Sequence, residues 1–130
     1  MINFFSKYRV FFYSANSILI FLYLFPCSLI GYFLYGNCGI QPQIHRNLFF
    51  SSNHAYAFAL LSIIAWLTYA RNLKINLIFY YLYFLSIILE IIQIPIPVRS
   101  FQWSDIFANI LGISTIFILY EIFKKKNYKR

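Results

Sequence analysis

The stretch LEIIQIPIPVRSFQWSDIFANILG, Leu89 to Gly112, holds two of the three acidic residues in a 130-residue chain, Glu90 and Asp105. Gln93, Arg99 and Asn109 stand between or beside them, and His54 lies in an earlier segment. These residue types can do three kinds of chemistry. An arginine fork with an imidazole can hold a phosphate or a carboxylate. A histidine oriented by a carboxylate can act as an acid or base, which makes His54, Glu90 and Asp105 the catalytic candidates. The same three side chains are of types that ligate zinc or manganese. Their spacing does not specify a metal, however, and Arg99 nearby opposes a cation, so no metal and no cofactor is expected. Ser52 and Ser100 lie close to His54 and Arg99 in sequence, but no motif orients either one as a nucleophile.

Each of these residues also has a plainer reading. Arg99 can bridge Glu90 or Asp105 and fix a hairpin, with Gln93 and Asn109 bonding across helices. Asp105 follows Ser104 at the start of an apolar run, where a cap residue and a negative charge both suit a helix N-terminus. His54 can be an interfacial side chain with a wet tip. His45 has no partner that the sequence names. Clasp and working site both stand open.

The elements that must position these residues are set by composition. The chain is 62% hydrophobic and only 11% charged, whereas a soluble domain carries about a quarter charged residues. This is the composition of an integral membrane protein. No composition shift or repeat divides it, so residues 1–130 read as one domain. Four apolar runs emerge, Val10–Tyr35, Ala55–Ala70, Ile75–Ile94 and Ile106–Phe123. The expected fold is all-α, a polytopic bundle of about four transmembrane helices. Pro26 leaves the first run two courses: one kinked helix, or a span ending near Phe25 with CSLIGYFLYG packed at the interface. Cys27 lies in an apolar run and Cys38 in a polar turn, so a disulfide between them is not expected. No small-residue cleavage pattern follows the first run, and the N-terminus reads as retained.

Basic residues set the orientation. With both termini in the cytoplasm, Lys7, Arg9, Arg71, Lys74 and the five basic residues of Lys124–Arg130 fall inside, and only Arg46 and Arg99 outside. Cytoplasmic segments carry the excess of Lys and Arg. The tail KKKNYKR then faces anionic lipid, and nucleic acid is not an expected partner. In this orientation His54 opens the second helix on the outer side. Glu90 and Gln93 share a face near the outer end of the third. Asp105, Asn109 and Gly112 share a face at the outer start of the fourth, where Gly112 lets a neighbouring helix approach. Pro95 ends the third helix, and Arg99 sits in the loop between the last two.

The residues His54 in NHAYAFALLS, Glu90 and Gln93 in EIIQ, Arg99 in RSF, and Asp105, Asn109 and Gly112 in DIFANILG carry a family resemblance. In that order they resemble the VanZ-like family of small bacterial membrane proteins, over roughly residues 51–123. The family often carries Asp-Lys shortly before the histidine, where this chain has Phe50 and Ser51. The resemblance implies a helical domain in the bacterial cytoplasmic (inner) membrane and an outward-facing polar site. The expected ligand is an anionic or lipid-linked envelope component held by His54, Glu90, Gln93, Arg99, Asp105 and Asn109. Antibiotic resistance is not carried over. A membrane enzyme using His54 on such a lipid is the alternative. A structural subunit of a larger membrane complex is a third reading. Membrane lipid, a membrane-protein partner and a second copy of the chain complete the partners to consider.

Overall fold

Pro26 decides the course of the first apolar run. In the computed structural model, which describes residues 9–128, all regular structure among the described residues is helical. Lys7, Lys129 and Arg130, counted above among the basic residues, lie outside them. Helix α1, Val10–Leu24, stops at Phe25, whose backbone is extended with ψ 128°. A residue before proline is pushed out of the helical region, and Pro26 has no N–H to continue the ladder. A short helix α2, Leu29–Tyr35, follows at 67° to α1. Ser28 opens α2 by accepting the Gly31 N–H at 3.1 Å. Gly36 closes it in the left-handed conformation, φ +65°, which a residue without Cβ adopts freely. Of the two courses open to this run, the chain takes the broken one.

The break also overturns the expectation about the cysteines. It turns the chain back so that the Ser28 N–H donates to the Cys38 carbonyl at 3.0 Å. Cys27 and Cys38 are then adjacent and form a disulfide. Sequence spacing alone could not show this, because in an unbroken helix Cys27 points away from the loop. Closing a loop of this size constrains the unfolded chain by about 2–3 kcal/mol.

Three longer helices complete the bundle: α3, Ser52–Tyr69; α4, Ile75–Ile92; and α5, Trp103–Tyr128. Helices α4 and α5 are long and apolar enough to cross a membrane, and the bent pair α1–α2 makes a third span if taken as one. Helix α3 has 18 residues, about 27 Å of length at 1.5 Å per residue, yet it falls short in apolarity. Its position explains why. It packs against α1, α4 and α5, and Phe58, Ser62 and Ala65 are fully buried there. A helix with one face packed against three others can carry Ser52, Ser62 and Thr68 buried on that face, while Tyr56, Leu60 and Ile63 are exposed on the other.

Helices α3 and α5 come closest at Gly112, the position expected to permit such an approach. A methyl group there would overlap the Ala55 carbonyl and stand 3.0 Å from the Ala59 nitrogen. Around this contact Phe58, Leu61, Phe79, Leu82, Leu89 and Ile113 form the core. The Tyr83 and Ser114 hydroxyls bond at 2.7 Å between α4 and α5. Asn16 donates to Tyr81 at 2.9 Å between α1 and α4. The two ends of the bundle differ in chemistry. The start of α1, the α3–α4 turn and the end of α5 carry Arg9, Arg71, Lys74 and Lys124 to Lys126. The opposite end carries the polar residues singled out above.

Candidate functional site

Each helix places its polar side chain near the same end of the bundle because the chain alternates direction. His54 lies in the first turn of α3, Glu90 in the last turn of α4, and Asp105 and Asn109 in the first two turns of α5. Helix α5 begins at Trp103, earlier than expected, so Asp105 stands inside its first turn and not at a cap. A carboxylate there still opposes the positive end of the helix dipole.

His54 is the hub. Its Nδ1 lies 2.9 Å from the Tyr23 hydroxyl and 3.3 Å from Glu90 Oε1. Its Nε2 lies 3.9 Å from Asp105 Oδ2. Tyr23 donates to Asn109 Oδ1 at 2.8 Å, and Asn109 Nδ2 donates to Glu90 Oε1 at 3.4 Å. This chain has a direction. The Tyr23 proton goes to Asn109, so the bond between Tyr23 and His54 needs its proton from Nδ1. In the neutral ring Nε2 is then a bare acceptor. It faces the acceptor oxygen of Asp105.

Tyr23 was not among the residues that the sequence pointed to. It sits on α1, 7% exposed, and its ring also packs against His54 at 4.9 Å between centroids. The one signal for it is position: Tyr23 stands one turn before the helix-breaking Pro26, at the depth where the other polar residues converge. A buried tyrosine needs a partner for its hydroxyl, but eleven other tyrosines hide this one.

Arg99 does not pair with Glu90 or Asp105, as the sequence suggested. Its Nε donates to the Phe25 carbonyl at 3.0 Å, and Nη2 donates to Leu22 at 2.9 Å and Cys27 at 3.3 Å. The reason lies in the α1 break. In a continuous helix the N–H of residue 26 would bond the Leu22 carbonyl, and proline has none. The last carbonyls of a helix lack intrahelical donors, and Arg99 supplies them here. Burial lowers the Arg99 pKa from its ordinary value, while Tyr23 and Glu90 pull it back up. Gln93 serves the same helix end, donating to the Tyr23 carbonyl at 3.1 Å. The preceding Val98 has φ +66°, a left-handed conformation that a β-branched residue rarely adopts. Such strain persists where the surroundings fix the backbone, and here the Arg99 side chain is fastened to α1.

Of the bonds expected across helices from Gln93 and Asn109, Asn109 reaches Glu90 on α4, while Gln93 goes to α1. The Glu90 side chain is fully buried, and Oε2 has no hydrogen-bond partner. Beside His54 and Asp105 lies a cavity of 260 Å³ lined by those two residues, Gln93, Arg99 and the loop residues Gln43 and Gln102, among others. Its roof on one side is the 36–51 segment. Gln43 Oε1 accepts from the Ser51 and Ser52 hydroxyls, both at 3.3 Å. Asn53 donates to the Pro42 carbonyl and accepts the Ile44 N–H at 3.0 Å. His45 finds a partner after all, Tyr56, at 3.0 Å.

The arrangement therefore offers a guanidinium held by α1, a histidine positioned by Tyr23 beside a cavity, and two carboxylates close to the histidine and not bonded to the arginine. Comparison of the chain with protein-family models, with curated proteins and with solved structures finds no match.

Proposed function

We propose that this chain is a multi-pass protein of the bacterial cytoplasmic membrane, VanZ-like in its site pattern, with four spans and both described ends of the bundle's basic side in the cytoplasm. The polar cavity then faces outward and binds an anionic or lipid-linked envelope component. The observation that carries this reading is the cavity itself, with Arg99 fixed in its wall. Arg99 spends Nε and Nη2 on α1, and among the described residues Nη1 has no hydrogen bond. A phosphate or carboxylate entering the cavity meets that remaining pair of N–H groups. Two features support the orientation independently: basic residues gather at the opposite end, and the disulfide beside the cavity suits an oxidising compartment. Helix α3 is the fourth span in this reading, with Ser52, Ser62 and Thr68 buried against the other helices.

Two experiments test this. Reporter fusions after Lys74 and after Val98 are expected to report cytoplasmic and outer locations respectively; the reverse result refutes the orientation. Native mass spectrometry in detergent with a short polyisoprenyl phosphate and the matching alcohol tests the ligand class. The phosphate is expected to bind and the alcohol not, with binding weakened at least tenfold in Arg99→Lys. Equal retention of both, or of neither, removes the anion reading.

One observation favours a second reading, a membrane enzyme acting on such a lipid. The directed hydrogen-bond chain through Tyr23 presents His54 Nε2 at the cavity as a proton acceptor, with Asp105 beside it. Turnover of the bound lipid that is lost in a folded His54→Gln protein would decide for catalysis.

A further inference from the structure

The site holds an imbalance of charge. Glu90 and Asp105 are both buried, and neither pairs with Arg99 or with any lysine among the described residues. The basic side chain within ion-pair distance of both is His54; in a neutral ring that gives Nδ1–H to Tyr23, a bare Nε2 is turned toward Asp105. In that tautomer two acceptors face each other 3.9 Å apart, and a third, Glu90 Oε2, is fully enclosed with no hydrogen-bond partner. Buried carboxylates are paired or coordinate metals. Something positive belongs between these three groups.

We propose that His54, Glu90 and Asp105 bind one divalent first-row cation, zinc or manganese. One ligand atom from each lies within 4.8 Å of the others. Bonds of about 2.1 Å place ligand atoms about 3.0 to 3.4 Å apart at octahedral or tetrahedral angles. The widest pair therefore needs to close by up to about 1.8 Å, and Asp105, which lines the cavity, has room to move. One imidazole with two carboxylates is a ligand set for zinc or manganese and not for copper(I) or an iron–sulfur cluster. The surroundings have the character of an outer shell. Tyr23 fixes the histidine tautomer through Nδ1, and Asn109 holds Glu90 Oε1, leaving Oε2 for the ion. Three protein ligands leave positions open toward the cavity for water or an anion.

In the sequence, spacing does not specify a metal and Arg99 opposes one; the fold brings the three ligand types together, and the Arg99 guanidinium is turned to the carbonyls of Leu22, Phe25 and Cys27. A divalent ion neutralises the two carboxylates and leaves the Arg99 charge for an anionic ligand. The cation site stands or falls independently of that ligand.

The test uses the full-length protein in detergent, stripped with EDTA and dialysed into chelator-free buffer near pH 7.5. Mn²⁺ is titrated in, and the six-line electron paramagnetic resonance signal of free Mn²⁺ reports what is bound. One ion per chain is expected, displaced by Zn²⁺, with the unfolding temperature raised by several degrees on loading. Asp105→Asn and His54→Gln are each expected to weaken binding at least tenfold while unfolding, without metal, near the wild-type temperature. Wild-type protein that binds no Mn²⁺ or Zn²⁺ and is unaffected by EDTA overturns the proposal and leaves a proton shared between His54 and Asp105. Undiminished one-to-one binding in whichever of the two variants folds also overturns it.

Discussion

Arg99→Ala gives the sharpest test of how the break in α1 is held. The guanidinium makes three bonds to α1 carbonyls, at 2.9, 3.0 and 3.3 Å. Hydrogen bonds from a charged group contribute about 1.5–3 kcal/mol each, and the longest of the three should contribute least. The carbonyls left behind are only partly recovered by water at this end of the bundle. A loss of about 3–5 kcal/mol follows, within the range for removing one member of a buried polar set. Arg99→Lys can reach one carbonyl and should recover about a third of that. The mechanism predicts which second change rescues. Pro26→Ala restores an N–H to the Leu22 carbonyl, so it should recover about 1 kcal/mol in the Arg99→Ala background. Glu90→Gln should not, because Glu90 is held by Asn109 and His54 and not by Arg99. The assay is unfolding in detergent, followed by far-ultraviolet circular dichroism for the wild type, the single variants and both double variants. Rescue by Glu90→Gln with none from Pro26→Ala would show that Arg99 works as a counter-ion, and would refute the capping argument.

Other expectations follow from single positions. Gly112→Ala pushes a methyl into the Ala55 carbonyl and should destabilise by about 1–3 kcal/mol in the same unfolding assay. Tyr23→Phe leaves Asn109 Oδ1 and His54 Nδ1 without their shared partner and should lower stability by about 2–4 kcal/mol. Unchanged unfolding would show that the network is not formed. Val98→Gly relieves the positive φ and should stabilise by up to about 1 kcal/mol after the added chain entropy is offset. Reduction of the Cys27–Cys38 link, or Cys27→Ser with Cys38→Ser, should lower stability by about 2–3 kcal/mol and speed proteolysis of the 36–51 segment.

The convergence of His54, Glu90, Asp105 and Asn109 was legible in the sequence because it depends on few things. Alternating helix direction fixes which end each residue occupies, and the rarity of charge marks the residues themselves. Gly112 was legible for a similar reason, since a small residue on the polar face of α5 has one obvious use. What was not legible depends on Pro26. A proline in an apolar run can kink a helix or end it, and that local choice is settled by partners distant in sequence. Arg99 is one such partner. It was assigned to the nearest carboxylate because charge is visible in a sequence and an orphan carbonyl is not. The Cys27–Cys38 bond and the role of Tyr23 follow from the same break.

That shared origin links architecture to chemistry. If α1 continued through Pro26, its carbonyls would be satisfied within the helix and Arg99 would be free to turn toward Glu90 and Asp105. The carboxylates would then be neutralised, and the site would be a clasp. With α1 broken, Arg99 is drawn to Leu22, Phe25 and Cys27, and among the described residues His54 is the basic side chain within ion-pair distance of the two carboxylates. The helix break thus leaves Arg99 and Asp105 unpaired with each other in the lining of a single cavity, with Glu90 fully buried beside His54. A structural clasp has no use for that separation, because it forfeits the attraction that would make it stable. A binding site does have a use for it, because separated charges can each receive a ligand group. Restoring helix continuity with Pro26→Ala should therefore weaken ligand or metal retention more than it weakens the fold. Unfolding and binding measured on the same preparation check this, and a variant that loses both in proportion would argue for the clasp.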